Sequence, residues 1–192
     1  MNLIADFFPT GRACGVTAVV EGFFAFVWFG WGQAAAPSWL VVPFAVGTGL
    51  GAVVAVLGVL VAARSTGRLA AASDPAVRRR YGITVGVEFG LIGVGAAVLG
   101  AAGLARWIPV WVCVVVGVHF FSLSPVLANP SLRPLGALIT AAAVAALVVG
   151  LASTAAPSTI TGPGAGLCLL AFGVATLLNR SRGQPTVEPA RT

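Results

Sequence analysis

Residues 38–63 read SWLVVPFAVGTGLGAVVAVLGVLVAA, a run without a single charged side chain. A helix that crosses the hydrocarbon core of a bilayer needs about 20 predominantly apolar residues, and this run is long enough. The sequence has no alternating pattern of the kind found in barrel strands. It therefore predicts an all-α membrane protein, a six-transmembrane-helix bundle. The other five spans are predicted at 13–32, 81–103, 107–127, 135–151 and 160–178.

The composition agrees with one membrane bundle and leaves no room for a soluble domain of useful size. Of the 192 residues, 58% are hydrophobic and 8% are charged, and the mean hydropathy is +1.01. We expect an N-terminal interfacial segment at 1–12, a six-helix transmembrane domain at 13–178 and a disordered cytoplasmic tail at 179–192. The alanines at 34–36 resemble a signal-peptide cleavage site, but the long first run, interrupted by Glu21, favours an uncleaved span.

Arginine and tryptophan predict the orientation of the bundle. All eleven basic residues are Arg. With six spans, ten of them fall on one side of the membrane and only Arg106 falls on the other. Basic loops face the cytoplasm, so both termini are expected inside (N-in, C-in). The heavy use of Ala, Gly, Val and Arg is typical of a GC-rich bacterial genome, which predicts the bacterial cytoplasmic membrane. The tryptophans fall at or near the opposite boundary, as in an aromatic belt: Trp28, Trp31, Trp39, Trp107 and Trp111.

Three consecutive arginines, Arg78, Arg79 and Arg80, precede the third span. Asp74 suits a helix N-cap and Pro75 suits the first helical position, so this helix is expected to begin before the membrane. The arginines then lie in the headgroup layer, where they anchor the topology and attract anionic lipid. An anionic-substrate site is the alternative. Nucleic-acid binding is not expected, because it requires a basic groove with interleaved aromatics.

Three ionisable side chains lie inside predicted spans: Glu21, Glu88 and His119. Such a group is costly in hydrocarbon, so it normally faces a partner, a cavity or a pathway. The helical rise places all three at about 10–13 Å from the inner boundary, which predicts one shared polar pocket. A buried carboxyl without a partner stays protonated, whereas beside an imidazolium it ionises and the pair shares a proton. Thr17 and Thr84 precede the two glutamates by one helical turn and can bond a carboxyl or a backbone carbonyl.

The surroundings of the two glutamates repeat. The segment GVTAVVE at 15–21 matches GITVGVE at 82–88, and WLVV at 39–42 matches WIPV at 107–110. The offsets of 67 and 68 residues indicate a parallel duplication of two helical hairpins.

Glycine recurs at every fourth residue in the third span, at Gly82, Gly86 and Gly90. Small residues at this spacing let a neighbouring helix approach closely. Residues two apart do not share a helix face, so Glu88 is expected to point away from that contact.

The sequence offers little for cofactors, metals or catalysis. Cys14, Cys113 and Cys168 are isolated, which favours buried small hydrophobes. One His without clustered thiols does not make a zinc site, and no Lys is present for a Schiff base. We predict no cofactor, no metal ligand and no catalytic residue. Motifs such as GxSxG and HExxH are missing, so an enzyme is not expected.

The stretch Val116-Gly-Val-His119-Phe-Phe-Ser-Leu-Ser-Pro125, with Arg80-Tyr81-Gly and Glu88 before it, resembles a group of small, uncharacterised bacterial multi-pass membrane proteins. These proteins carry a Gly-x-His-Phe stretch in a late span. The resemblance covers 79–134 and implies an integral membrane bundle, without implying an activity.

Two functions remain open from the residues. A small proton-coupled transporter or permease would use Glu21, Glu88 and His119 to carry protons or to bind a cation, with an unknown small substrate. A non-transporting scaffold, sensor or assembly partner would use the same residues to fix helix packing. Membrane lipids are the expected partners, and the small size of the chain favours a homo-oligomer.

Overall fold

The computed structural model describes residues 11–65 and 74–182. Within these residues it contains six long helices and no strand, and each helix is long and apolar enough to cross a membrane. The chain is thus a multi-pass membrane protein with the predicted number of spans. A short 3-10 turn leads directly into the fourth helix. The helices are α1 Gly11–Gln33, α2 Ser38–Arg64, α3 Pro75–Ala101, α4 Ile108–Val126, α5 Leu132–Ala152 and α6 Ser158–Arg182, and the turn is Ala105–Trp107.

The domain boundaries differ slightly from those expected. α1 already begins at Gly11, so the end of the predicted interfacial segment at 1–12 is helical, and the rest of it lies outside the described residues. α6 continues to Arg182, so the first residues of the predicted tail at 179–192 extend this helix. The remainder of the tail also lies outside the described residues.

Consecutive helices run antiparallel, which gives the bundle two chemically distinct ends. Gly15, near the start of α1, contacts Ala62, near the end of α2, while Gly32 at the end of α1 contacts Gly162 at the start of α6. We call the end where α1, α3 and α5 begin the arginine end. The opposite end is the tryptophan end, because Trp31 closes α1 there. Both ends of the described chain lie at the arginine end.

α1 is the central helix of one half of the bundle. It packs against α2 along its whole length and against α6 on another face. Backbone contact replaces side-chain packing at the α1–α2 interface: a Cβ at Gly22 would lie 2.5 Å from the amide nitrogen of Ala55 and 2.8 Å from the carbonyl oxygen of Gly51. Glycines therefore let these two backbones approach closely, as small residues do in many membrane bundles.

α3 lies at the edge of the bundle and has no buried residue. Its main contacts are with α4, which in turn packs against α5. The helix begins as predicted, because the Asp74 carboxylate accepts a hydrogen bond of 2.8 Å from the Ala76 amide and Pro75 occupies the first turn. The predicted close approach at Gly82, Gly86 and Gly90 is wrong within the described chain: a Cβ there would meet nothing within 4 Å.

Candidate functional site

Glu88 and His119 meet between α3 and α4. The imidazole Nδ1 of His119 lies 3.4 Å from Oε2 of Glu88, and the two side chains are 9% and 12% exposed, respectively. Glu88 is at the midpoint of α3 and His119 is near the middle of α4, so both helices present an ionisable group at the same level. The expected pairing of these two residues is therefore present. The pair is nearly closed to its surroundings, but a small part of each side chain stays accessible.

A second polar contact joins α3 to α4 nearer the tryptophan end. The indole Nε1 of Trp111 donates a hydrogen bond of 2.9 Å to the carbonyl oxygen of Leu91. Gly95 makes room for it, because the indole lies against this glycine at the place where any larger residue would carry its Cβ. Gly95 and Glu88 are seven residues apart and hence lie on one face of α3. That face forms the attachment of α3 to the rest of the bundle.

Glu21 occupies a different place from the other two ionisable groups. It is 5% exposed, and the hydroxyl of Thr176 on α6 donates a hydrogen bond of 3.5 Å to its Oε2. Gly173, one turn earlier on α6, leaves space for the Glu21 side chain. The only ion pair among the described residues joins His119 to Glu88, so Glu21 does not join that contact. The expectation of one pocket shared by all three is not met.

The other predicted site residues have simpler surroundings. Thr84 donates a hydrogen bond of 2.9 Å to the carbonyl oxygen of Arg80, within its own helix. Thr17 is half-buried on α1, one turn before Glu21. The side chains of Arg78, Arg79 and Arg80 are exposed around the first turns of α3, where headgroups of a bilayer would contact them.

Sequence reasoning missed two participants, Thr176 and Trp111. The signal for Thr176 is a hydroxyl within the last predicted span, 160–178, since polar groups in hydrocarbon form hydrogen bonds with other helices. The position of Trp111 near a span boundary predicts a place in the aromatic belt. Its hydrogen bond to Leu91 could not be foreseen, because it depends on how α4 rotates against α3.

In the described ranges, 11–65 and 74–182, no three side chains of His, Cys, Asp or Glu lie close enough together to hold a metal ion. Cys113 is buried and donates a long hydrogen bond of 3.4 Å to the carbonyl oxygen of Ile139, as a packing thiol would.

Comparisons with protein-family models, with curated proteins and with solved structures find no match for this chain. The resemblance to small bacterial membrane proteins around His119 therefore stays a prediction. Functional proposals depend on the geometry of the site itself.

Proposed function

We propose that the chain is a small proton-coupled transporter or permease in which Glu88 and His119 carry the coupling proton. The observation that supports this proposal is the 3.4 Å contact between a carboxyl and an imidazole at the middle of two membrane helices. Both groups exchange protons in proteins, and intramembrane chains of Glu and His are typical of proton relays. A pair that holds one proton is neutral overall, whereas gain or loss of a proton leaves it charged.

The helix that carries Glu88 is also the one with the least packing to oppose its movement. α3 has no buried residue and makes its main contacts with α4 alone. Regions with few buried apolar contacts open at low free-energy cost. We propose that the charge of the Glu88–His119 pair sets how firmly α3 docks on α4. Protonation would then bias the position of this helix, as coupled transport requires.

We assign Glu21 a structural role. Its carboxyl is enclosed between α1 and α6 and contacts Thr176, in the most tightly packed part of the bundle. A proton site that must exchange with water needs access, and Glu21 is less exposed than the Glu88–His119 pair. A neutral carboxyl that is hydrogen-bonded to a hydroxyl holds two helices together without burying a charge.

Orientation and location extend the proposal. The arginine end would face the cytoplasm of a bacterial cell, with both termini inside, in accord with the positive-inside bias. Arg78, Arg79 and Arg80 would contact anionic headgroups at that face. Assembly into a homo-oligomer stays a prediction from the size of the chain.

Corresponding contacts support a duplication of the α1–α2 and α3–α4 hairpins. With an offset of 68, Gly51 corresponds to His119. Gly51 lies opposite Gly22 on α1, next to Glu21, and His119 lies opposite Glu88 on α3. We propose that both hairpins derive from one ancestral hairpin. At the point where its two helices crossed, the α1–α2 hairpin now has a backbone contact, and the α3–α4 hairpin has a contact between ionisable side chains.

A non-transporting scaffold is the second candidate, and the enclosed Glu21–Thr176 contact favours it. In that case the Glu88–His119 pair would be a second structural contact, which holds α3 against α4. The scaffold reading predicts that substitutions at Glu88 lower thermal stability and change no activity.

Proton movement in liposomes distinguishes the two candidates. Purified protein would be reconstituted with a pH-sensitive dye inside, and gradients of small ions and metabolites would be applied in turn. We expect at least one solute to drive proton movement in the wild type and in Glu21→Gln, and none to do so in Glu88→Gln. Glu21→Gln is the matched control, since it changes a buried carboxyl in the same way. Equal transport by the wild type and Glu88→Gln would contradict the proposal.

A further inference from the structure

A depression of about 370 Å³ opens at the tryptophan end, between the end of α1 and the starts of α4 and α6. Arg106 and Ser158 contribute its polar groups, while Trp31, Ala35 and Pro157 are among its apolar walls. It lies at the opposite side of the span from the arginine loops and does not include the Glu88–His119 pair. Neither proposed function uses it.

Arg106 brings a positive charge that the described chain does not neutralise. Its guanidinium lies 5.0 Å from the centre of the Trp107 ring and donates one hydrogen bond of 3.2 Å to the carbonyl oxygen of Gly150. The single ion pair in the described residues lies elsewhere, so no carboxylate of this part of the chain pairs with the guanidinium. A guanidinium has five N–H donors in a planar fork that matches phosphate oxygens. Most of these donors make no hydrogen bond within the described chain.

Ser158 supplies a second polar group in the lining of the depression. It is the first residue of α6 and only 7% exposed, yet it lines the depression. Its hydroxyl makes no hydrogen bond to another residue of the described chain. Because α6 is 25 residues long, the positive end of a full helix dipole also points towards this opening. The amides of Thr159, Ile160 and Thr161 already donate to the carbonyls of Ala156 and Pro157, so the Ser158 hydroxyl, the guanidinium and the helix dipole are what favour an anion.

The walls indicate what the anion is attached to. Trp31, Ala35, Ile108 and Pro109 present apolar surface, and the volume exceeds that of a phosphate group. We propose that this depression binds a phosphate group that carries an apolar neighbour, with Arg106 and Ser158 as the groups that hold the phosphate oxygens. A lipid headgroup and a free phosphate compound share this chemistry, and the test separates them.

Intrinsic fluorescence provides the readout, since Trp31 lines the depression and the ring of Trp107 lies against Arg106. The full chain in a neutral detergent would be titrated with dihexanoyl phosphatidic acid and, separately, with inorganic phosphate. We expect a saturable change with the short-chain lipid. Arg106→Gln should raise the dissociation constant by about tenfold or more, the usual loss for a hydrogen bond to a charged group. Arg106→Lys should retain part of the affinity, because it keeps the charge.

Two control variants make the result decisive. Arg133→Gln removes one positive charge from the exposed start of α5 at the arginine end and should bind as the wild type does. Ala35→Trp fills the depression and leaves Arg106 in place, so it should abolish binding even if Arg106→Gln folds poorly. Saturation by inorganic phosphate as well would identify a free phosphate compound as the ligand class, and saturation by the lipid alone would identify a headgroup.

Three results would overturn the site. The first is the absence of a saturable change with either probe. The second is equal affinity in the wild type and in Ala35→Trp. The third is an equal loss of affinity in Arg106→Gln and Arg133→Gln, which would show bulk charge attraction. None of these results depends on whether Glu88 and His119 move protons, because the assay measures binding without a pH gradient.

Discussion

Glu88→Gln and His119→Gln are each expected to reduce proton flux by about 100-fold or more, the usual effect of losing a group that transfers a proton. The double variant should be no slower than either single variant. The reason is that the carboxyl and the imidazole are 3.4 Å apart and would act as one unit. Removing either member of such a unit removes its whole contribution.

Flux in liposomes at equal protein content measures this effect. Thr84→Val is the matched control, because it removes a hydroxyl one turn from Glu88 on the same helix. That hydroxyl donates its hydrogen bond to the carbonyl oxygen of Arg80, within the backbone of α3. We expect this variant to retain flux. Single effects that multiply in the double variant would show that Glu88 and His119 act separately.

Gly22→Leu is expected to cause the largest loss of stability. The new side chain would start 2.5 Å from the backbone nitrogen of Ala55, and a backbone cannot yield as a flexible side chain does. Forcing extra atoms into packed helices costs about 1–3 kcal/mol and occasionally more, and we expect the upper end or beyond here. The measurement is the free energy of unfolding in mixed micelles, or the yield of monodisperse protein.

Gly30→Leu on the same helix is the control for this substitution. A Cβ at Gly30 meets nothing within 4 Å, so the same change should leave stability close to that of the wild type. Equal destabilisation by both variants would mean that the close contact of α1 with α2 does not stabilise the bundle.

The spans and the start of α3 were predictable because their causes are local. Long apolar runs decide which segments cross the membrane, and Asp74 with Pro75 decides where α3 begins. The pairing of Glu88 with His119 was predictable from depth along consecutive helices of one hairpin. Consecutive antiparallel helices usually lie side by side, so matched depth is enough to bring two side chains together.

The placement of Glu21 was not predictable in the same way. Its partner Thr176 lies on the last helix of the chain, and no local pattern connects the two. Nor does composition distinguish α1 from α3. Both helices are long and apolar enough to cross a membrane, yet nine residues of α1 are buried and none of α3. Which helix becomes central depends on packing among all six helices, a property of the whole bundle.

The central claim is that the Glu88–His119 contact governs how α3 docks on α4. Distances between spin labels at Arg79 and Leu127 report this directly, because these residues lie at the arginine ends of the two helices. The background would replace the three native cysteines by alanine, and a label pair at Arg12 and Ala63 would report the tightly packed α1–α2 hairpin. The cysteines are Cys14, Cys113 and Cys168.

In lipid, Glu88→Gln is predicted to give a longer and broader α3–α4 distance distribution and an unchanged α1–α2 distribution. Identical α3–α4 distributions in the wild type and Glu88→Gln would contradict the claim, because α3 would then dock independently of its ionisable contact.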